Sequence, residues 1–149
     1  MVSVDPRGLR IAAWITTVVL AVVLLTGSGW LLLAQTVVFA LGAFAGLRFA
    51  PYGAFFRYVI RPRLGPPGEL EPAAPPRFAQ LVGFVFAAVG TVGYLTGLAA
   101  LGVVATSLAL AAAFLNAAFG LCLGCESYLL FRRLSTRNSS PATNKGVTA

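Results

Sequence analysis

Histidine is absent from this 149-residue chain, and only 10% of its residues are charged. Without an imidazole, Ser-His catalytic triads, histidine proton relays and His-ligated metal sites are excluded. Acidic residues are scarce, with 4 Asp or Glu against 11 Lys or Arg. Apolar residues make up 58% of the chain and its mean hydropathy is +0.87, whereas soluble domains average roughly 45–50% apolar and 25% charged residues. The composition therefore predicts an integral membrane protein whose first partner is the lipid bilayer.

Four apolar runs approach the roughly 20 residues that a helix needs to cross a hydrocarbon core of about 30 Å. They cover residues 9–25, 30–47, 78–95 and 99–121. None of them alternates apolar and polar residues with a period of two, so helices are predicted rather than barrel strands. Short turns, each with a Thr-Gly pair, join the first run to the second and the third to the fourth. Two helical hairpins are therefore expected.

The basic residues predict the orientation of these helices. All 11 lie before or at the beginning of the first run, between the second and third, or after the fourth, and neither hairpin tip carries one. The positive-inside rule then places both termini in the cytoplasm and the protein in the plasma (inner) membrane. No Ala-x-Ala-like site follows the first run, which is therefore expected to stay as a span rather than be cleaved as a signal peptide. Because the basic residues flank apolar runs, no nucleic-acid partner is expected.

An internal repeat is predicted when the sequence is aligned with itself so that Pro6-Arg7 falls on Pro76-Arg77. In this repeat alignment, which needs no gap, Thr26-Gly27 falls on Thr96-Gly97. Each unit contains two crossings, so the second unit begins on the same side as the first and the repeats are parallel. An arm of mixed aromatic and arginine residues follows each hairpin, at 51–64 and 122–134, and such composition suits the lipid headgroup region.

The predicted fold class is an all-α membrane protein with four transmembrane helices. They form two parallel tandem repeats, each a helical hairpin plus an interfacial amphipathic arm. The repeats are assigned to residues 1–64 and 77–134, and a cytoplasmic linker rich in Pro and Gly joins them at 65–76. Proline-rich linkers are stiff and extended. The polar residues 135–149 are predicted to form a disordered tail.

The two cysteines of the chain, Cys122 and Cys125, are the candidate catalytic residues. In a C-x-x-C one thiol can attack and the other can resolve the product. On the cytoplasmic side thiols are kept reduced, so a permanent disulfide is not expected. A helix start at Cys122 would favour its thiolate, whereas the neighbouring Glu126 would disfavour it. Asn116, which precedes the pair in the sequence, is predicted to orient a bound group.

Two functional interpretations remain open. In the first, the chain handles disulfides or sulfur through a C-x-x-C pair on the cytoplasmic side. In the alternative, it is a non-catalytic membrane scaffold, a subunit or an oligomeric permeation unit, and the cysteines only pack. The repeat alignment pairs Cys122 and Cys125 with Tyr52 and Phe55, which favours the first interpretation. Whether the chain is an enzyme stays open.

The sequence also bears on metal binding and on self-association. Two cysteines without histidine cannot complete a tetrahedral zinc site in one chain, so neither a metal nor another cofactor is expected. Pooling of four thiolates in a symmetric oligomer is the remaining route to zinc or an iron–sulfur cluster. The G-x-x-x-G pattern of Gly42 and Gly46 serves either helix packing within the bundle or a homo-oligomer interface.

The run from Asn116 to Glu126, together with residues 4–7 and 61–65, resembles the bacterial integral membrane family called domain of unknown function 4395. The resemblance covers residues 4–134. It implies a small multi-pass membrane protein, sometimes encoded beside thioredoxin-like or sulfurtransferase proteins, and hence a cytoplasmic partner of that kind. Because the family has no established activity, the resemblance assigns no role to any residue.

Overall fold

The computed structural model describes residues 3–138. Helices dominate this range, in the order α1 (Pro6–Thr26), α2 (Gly29–Ala40), α3 (Pro51–Phe55), α4 (Arg61–Leu64), α5 (Ala74–Leu95), α6 (Ala99–Phe119) and α7 (Leu123–Asn138). Single π-helical turns extend α2 over Leu41–Ala45 and join α3 to α4 over Phe56–Ile60, and a 3-10 turn covers Leu47–Phe49. Two short strands, β1 (Ser3–Val4) and β2 (Glu71–Pro72), pair antiparallel.

Three of these helices, α1, α5 and α6, are long and apolar enough to cross a membrane. The length and composition of these three helices confirm the predicted membrane character. The second predicted crossing corresponds to a shorter apolar helix, Gly29–Ala45, which combines the 12 residues of α2 with the 5 of the π-helical turn. The number of crossings and the repeat arrangement stay predictions.

Helix α5 is the centre of the packing. It contacts α2, α6 and α7, whereas α1 packs chiefly against α6. The buried core lies where these helices meet and consists of Leu20, Val23, Leu32, Phe39, Ala87 and Ala109. Many other large apolar side chains, including Trp14 and Val104, are exposed on the outside of the bundle. An outer surface of this kind suits contact with lipid rather than water.

The ends of the helices follow local sequence signals. Asp5 caps α1 by accepting a hydrogen bond from the backbone N–H of Arg7 at 3.0 Å, and Pro6 occupies the first turn, where a missing N–H costs nothing. Ser28 caps α2 in the same way through the N–H of Leu31 at 3.2 Å. At the other end of α1, Gly27 adopts the left-handed conformation with φ of 65°, which glycine tolerates without a steric cost.

Helices and a strand extend into the residues that were assigned to the linker and to the tail. Strand β2 lies inside the predicted linker and pairs with β1, and α5 begins at Ala74, within the residues assigned to that linker. Helix α7 continues to Asn138, past the predicted end of the second arm. The rest of the predicted tail, 139–149, lies outside the described residues.

Candidate functional site

Cys122 and Cys125 are joined by a disulfide. Their Cα atoms are 5.1 Å apart, within the usual range for a bridged pair. The cytoplasmic placement predicted reduced thiols, so the oxidised pair differs from that expectation. The physical reason is proximity, because the two residues share the start of one helix and the bridge closes only a short loop.

Cys122 occupies the position just before the first residue of α7. Its backbone oxygen accepts a hydrogen bond from the N–H of Glu126 at 2.9 Å, and its Sγ accepts one from the N–H of Cys125 at 3.2 Å. The N–H groups of a first helical turn carry partial positive charge. Helix α7 therefore begins directly after Cys122, and the sulfur of Cys122 lies where N–H groups would stabilise a thiolate.

Gly124, between the two cysteines, lets α7 approach α5 closely. A Cβ atom on Gly124 would lie 2.5 Å from the Cα and 2.6 Å from the Cβ of Ala79. One turn further along, the ring of Tyr128 lies against Phe78, with 5.7 Å between ring centroids. These two contacts hold the start of α7, and the disulfide with it, against the first turns of α5.

The four residues predicted for the site line one cavity of about 830 Å³. Cys122 and Cys125 are partly buried there, as is Asn116 on α6, while Glu126 is exposed. Pairing of β1 with β2 brings a further carboxylate, Glu71, to the same cavity. The structure thus brings the predicted residues together. It does not by itself assign them a chemical role.

Sequence reasoning missed two polar residues of this cavity, Arg10 on α1 and Gln80 on α5. The Nη2 atom of Arg10 donates to the backbone oxygen of Ala117 at 3.4 Å, in the last turn of α6, where carbonyl groups have no partner within the helix. The repeat alignment places Arg10 on Gln80, but this pairing does not indicate that the two residues share a cavity.

The first arm has a smaller cavity of about 240 Å³, lined by residues that include Gly8, Gly53 and Phe56. Nearby, the hydroxyl of Tyr52 donates to Oε1 of the buried Gln35 at 2.6 Å. Burial raises the pKa of Tyr52 above its ordinary value of 10.0. At the position that the repeat alignment pairs with Cys122, the first arm has a large ring that reaches into the bundle.

Within residues 3–138, no three His, Cys, Asp or Glu side chains are grouped so that they could hold a metal ion. The cavity has Glu71, Glu126 and the two cysteines among its lining residues, but the sulfur atoms are bonded to each other.

The comparison with known families agrees with the resemblance read from the sequence. A family model described as Domain of unknown function (DUF4395) matches residues 4–133. Neither a curated protein nor a solved structure matches the chain. The matched range contains α1 to α6, the cysteine pair and the first part of α7. This chain is therefore a member of the DUF4395 family.

Proposed function

We propose that this protein is a membrane thiol–disulfide exchanger in which Cys122 and Cys125 cycle between a disulfide and a dithiol. The observation that carries the proposal is the position of the pair. Both sulfur atoms lie at the start of α7, partly buried, beside a cavity that also contains Asn116 and Glu126. A disulfide that served only to hold two elements together would not need to join residues of the same helical turn.

The chemistry is a balanced two-electron exchange. A partner thiolate attacks the disulfide and forms a mixed disulfide, and a second thiol of the partner then releases both cysteines as thiols. The partner loses two electrons and two protons, and the Cys122–Cys125 pair gains them. In the reverse direction Cys122 is the attacking group, because the N–H of Cys125 stabilises its thiolate, and Cys125 resolves the intermediate.

We also propose that the chain crosses the membrane four times, and the position of Gly29–Ala45 beside α5 supports this. At one end, a Cβ on Gly29 would lie 2.9 Å from the side chain of Leu95. At the other end, Nε of Arg77 donates to the backbone oxygen of Ala43 at 2.7 Å. The segment therefore runs along almost the whole of α5. A helix that accompanies a membrane-spanning helix from end to end crosses the membrane with it.

With four crossings, the distribution of basic residues favours an inner-membrane protein with the cysteine pair on the cytoplasmic side. The fitting partner is then a cytoplasmic thioredoxin-like or sulfurtransferase protein. An impermeant maleimide tests this placement, because reduced Cys122 and Cys125 should react in inverted vesicles and stay unreactive in intact cells. Reaction only from the outside of intact cells would contradict the orientation.

Exchange itself is tested with the purified protein in glutathione buffers of varied redox ratio, followed by alkylation and mass spectrometry. We expect one two-electron transition between disulfide and dithiol. Cys125→Ser should accumulate a mixed disulfide between glutathione and Cys122, while Cys122→Ser accumulates far less on Cys125. A pair that stays in one state across the whole range would instead favour the scaffold alternative.

A further inference from the structure

The cavity beside the disulfide extends much deeper into the bundle than thiol exchange at the surface requires. It includes Thr16 and Ala109, which are the middle residues of α1 and α6, and the aromatic rings of Phe39 and Phe86. Both helices are long and apolar enough to cross a membrane. The cavity therefore joins the disulfide at one end of the spans to the depth of the hydrocarbon core, where only lipid-soluble molecules are abundant.

Polar groups of the cavity are concentrated near its disulfide end. Asn116 lies in the last turn of α6, and Gln80 and Arg10 lie in the early turns of α5 and α1. The side-chain amides of Asn116 and Gln80 form no hydrogen bond with any residue between 3 and 138. These amides and the Arg10 guanidinium can donate to carbonyl oxygens of a bound ring.

A membrane disulfide that cycles needs an electron partner for the second half of its cycle. Quinones combine a polar ring that carries two carbonyl groups with a long apolar tail, and they undergo two-electron reduction within the bilayer. A volume of about 830 Å³ lies within the roughly 300–1,000 Å³ typical of sites for small ligands. The cavity thus has hydrogen-bond donors toward its disulfide end and apolar walls further into the membrane.

We propose that this cavity binds the ring of a membrane quinone, which reoxidises the Cys122–Cys125 dithiol. This inference rests on the proposed function, because it supplies the electron acceptor for the same cysteine pair. The step balances. Two S–H bonds break and one S–S bond forms, while the quinone takes up the two electrons and two protons and becomes a hydroquinone. Asn116, Gln80 and Arg10 position the ring, and the tail extends between the spans.

The test uses the purified full-length protein, reduced under anaerobic conditions and then mixed with decylubiquinone. We expect the disulfide to re-form with the consumption of one quinone per protein. Ala112 on α6 lines the cavity and carries no reactive group, whereas the neighbouring Ala111 is exposed and lies outside it. Ala112→Trp should slow quinone-dependent oxidation by about tenfold or more, since a displaced ring reacts poorly. Ala111→Trp is the matched control and should not slow it.

Oxidation by diamide, a small soluble oxidant, distinguishes a defect in the quinone site from a defect in the exchange itself. If the inference is correct, Ala112→Trp re-forms its disulfide with diamide at the rate of the unaltered protein, which also shows that the variant is folded. Reoxidation of the unaltered protein by diamide but not by decylubiquinone would overturn the quinone site and leave the proposed exchange intact. Equal slowing by both tryptophan variants would also overturn the site, and the cavity would then be better explained by lipid chains. If neither oxidant re-forms the disulfide of the unaltered protein, the exchange itself is rejected.

A second pair of variants tests the polar end of the cavity. Asn116→Leu removes the amide, and it should raise the decylubiquinone concentration needed for half-maximal rate by about fivefold to tenfold, the cost of one lost hydrogen bond. Asn116→Gln retains the amide and should restore most of the apparent affinity. Equal effects of the two variants would show that Asn116 supports the fold rather than the ring.

Discussion

The two hairpins of this protein differ in how closely their helices pack. In the second hairpin, formed by α5 and α6, a Cβ atom on Gly93 would lie 2.6 Å from the backbone nitrogen of Gly102. In the first hairpin, formed by α1 and α2, the repeat alignment places Val23 and Leu32 at the corresponding positions, and both are fully buried. Accordingly α5 and α6 contact each other extensively, and α1 and α2 much less.

This difference shows how small residues organise a membrane bundle. Lipid chains are as apolar as leucine, so helices associate through close backbone approach and dispersion. Glycine allows that approach within the second hairpin. In the first hairpin, the larger residues fill the space between the two hairpins instead. The side chain of Leu32 lies against α5, 2.8 Å from the position that a Cβ atom on Gly90 would occupy. The closely packed second hairpin therefore provides the surface on which the first hairpin packs.

A hydroxyl pair shows the same asymmetry. Thr36 and Thr91 are hydrogen-bonded at 3.2 Å between α2 and α5. In the repeat alignment, Thr36 corresponds to Thr106, but Thr91 corresponds to Ala21. The buried hydroxyl of Thr106 accordingly has no hydrogen-bond partner within the part of the chain that the structure describes. One hydrogen bond thus links the two hairpins at a position where exact symmetry would place two.

The largest effect is expected from Gly93→Ala. Its added methyl group meets the backbone of Gly102 and the backbone oxygen of Leu98 rather than a side chain that can rotate away. We expect a loss of about 3 kcal/mol in the free energy of unfolding, the upper end for overpacking. Unfolding in mixed micelles of increasing SDS content measures it. Gly68→Ala is the control, since nothing lies within 4 Å of its Cβ position, and an equal loss there would refute close approach as the cause.

Gly124→Ala should have a smaller effect, because α7 lies at the surface and can move away from Ala79. We expect a net loss of about 1–2 kcal/mol, since the higher helix propensity of alanine offsets part of the overpacking cost. The reduced Cys122 and Cys125 should then react faster with iodoacetamide. In the first arm, Gly53→Ala meets only the backbone oxygen of Leu47, at 3.2 Å. A larger loss for Gly53→Ala than for Gly124→Ala would contradict this view of the two arms.

Tyr52→Phe tests the ring that the repeat alignment pairs with Cys122. The change removes the hydrogen bond to Gln35, whose Nε2 is already without a partner within residues 3–138, and leaves the whole buried amide unsatisfied. A loss of about 1–1.5 kcal/mol in the free energy of unfolding is expected. Tyr58 is 75% exposed, so Tyr58→Phe provides the control and should change stability little. Equal losses would show that the Tyr52 hydroxyl is not the cause.

The smallest effect is expected at the helix starts, where Asp5 caps α1 and no side chain caps α5. Asp5→Ala should lower stability by about 1 kcal/mol through loss of the cap. The hydrogen bond from the Arg7 side chain holds the pKa of Asp5 below its ordinary value of 3.8. The stabilisation is therefore complete above that value and is lost as pH falls through the lower pKa of the folded state.

Thermal unfolding at a series of pH values measures this dependence. Asp5→Asn is the matched variant, because asparagine still caps a helix but carries no charge. It should retain most of the stability at neutral pH and lose the part of the acid dependence that arises from Asp5. An acid dependence identical to that of the unaltered protein would show that Asp5 does not contribute to it.

Local patterns predicted much of this architecture. The apolar runs located α1, α5 and α6, and the Thr-Gly turns located the hairpin tips, because each of these signals acts within a few neighbouring residues. The pairing of β1 with β2 was not predicted, since it joins residues far apart in the chain and its strands are very short. The interruption of the first arm by a π-helical turn at Phe56–Ile60 was also missed. There the buried ring of Phe56 packs against Gly8, a contact that sequence spacing does not reveal.

Sequence alone determined that this is a membrane protein and singled out the candidates for its reactive atoms. Apolar runs of sufficient length require a bilayer, and the absence of histidine leaves two thiols as the conspicuous candidates for covalent chemistry. Only the tertiary structure decided that Asn116, Gln80 and Arg10 share a cavity with those sulfur atoms. Helix periodicity defines the face of a helix but not its neighbours. The neighbours depend on close approach at positions such as Gly93 and Gly124, where the partner backbone comes from elsewhere in the chain.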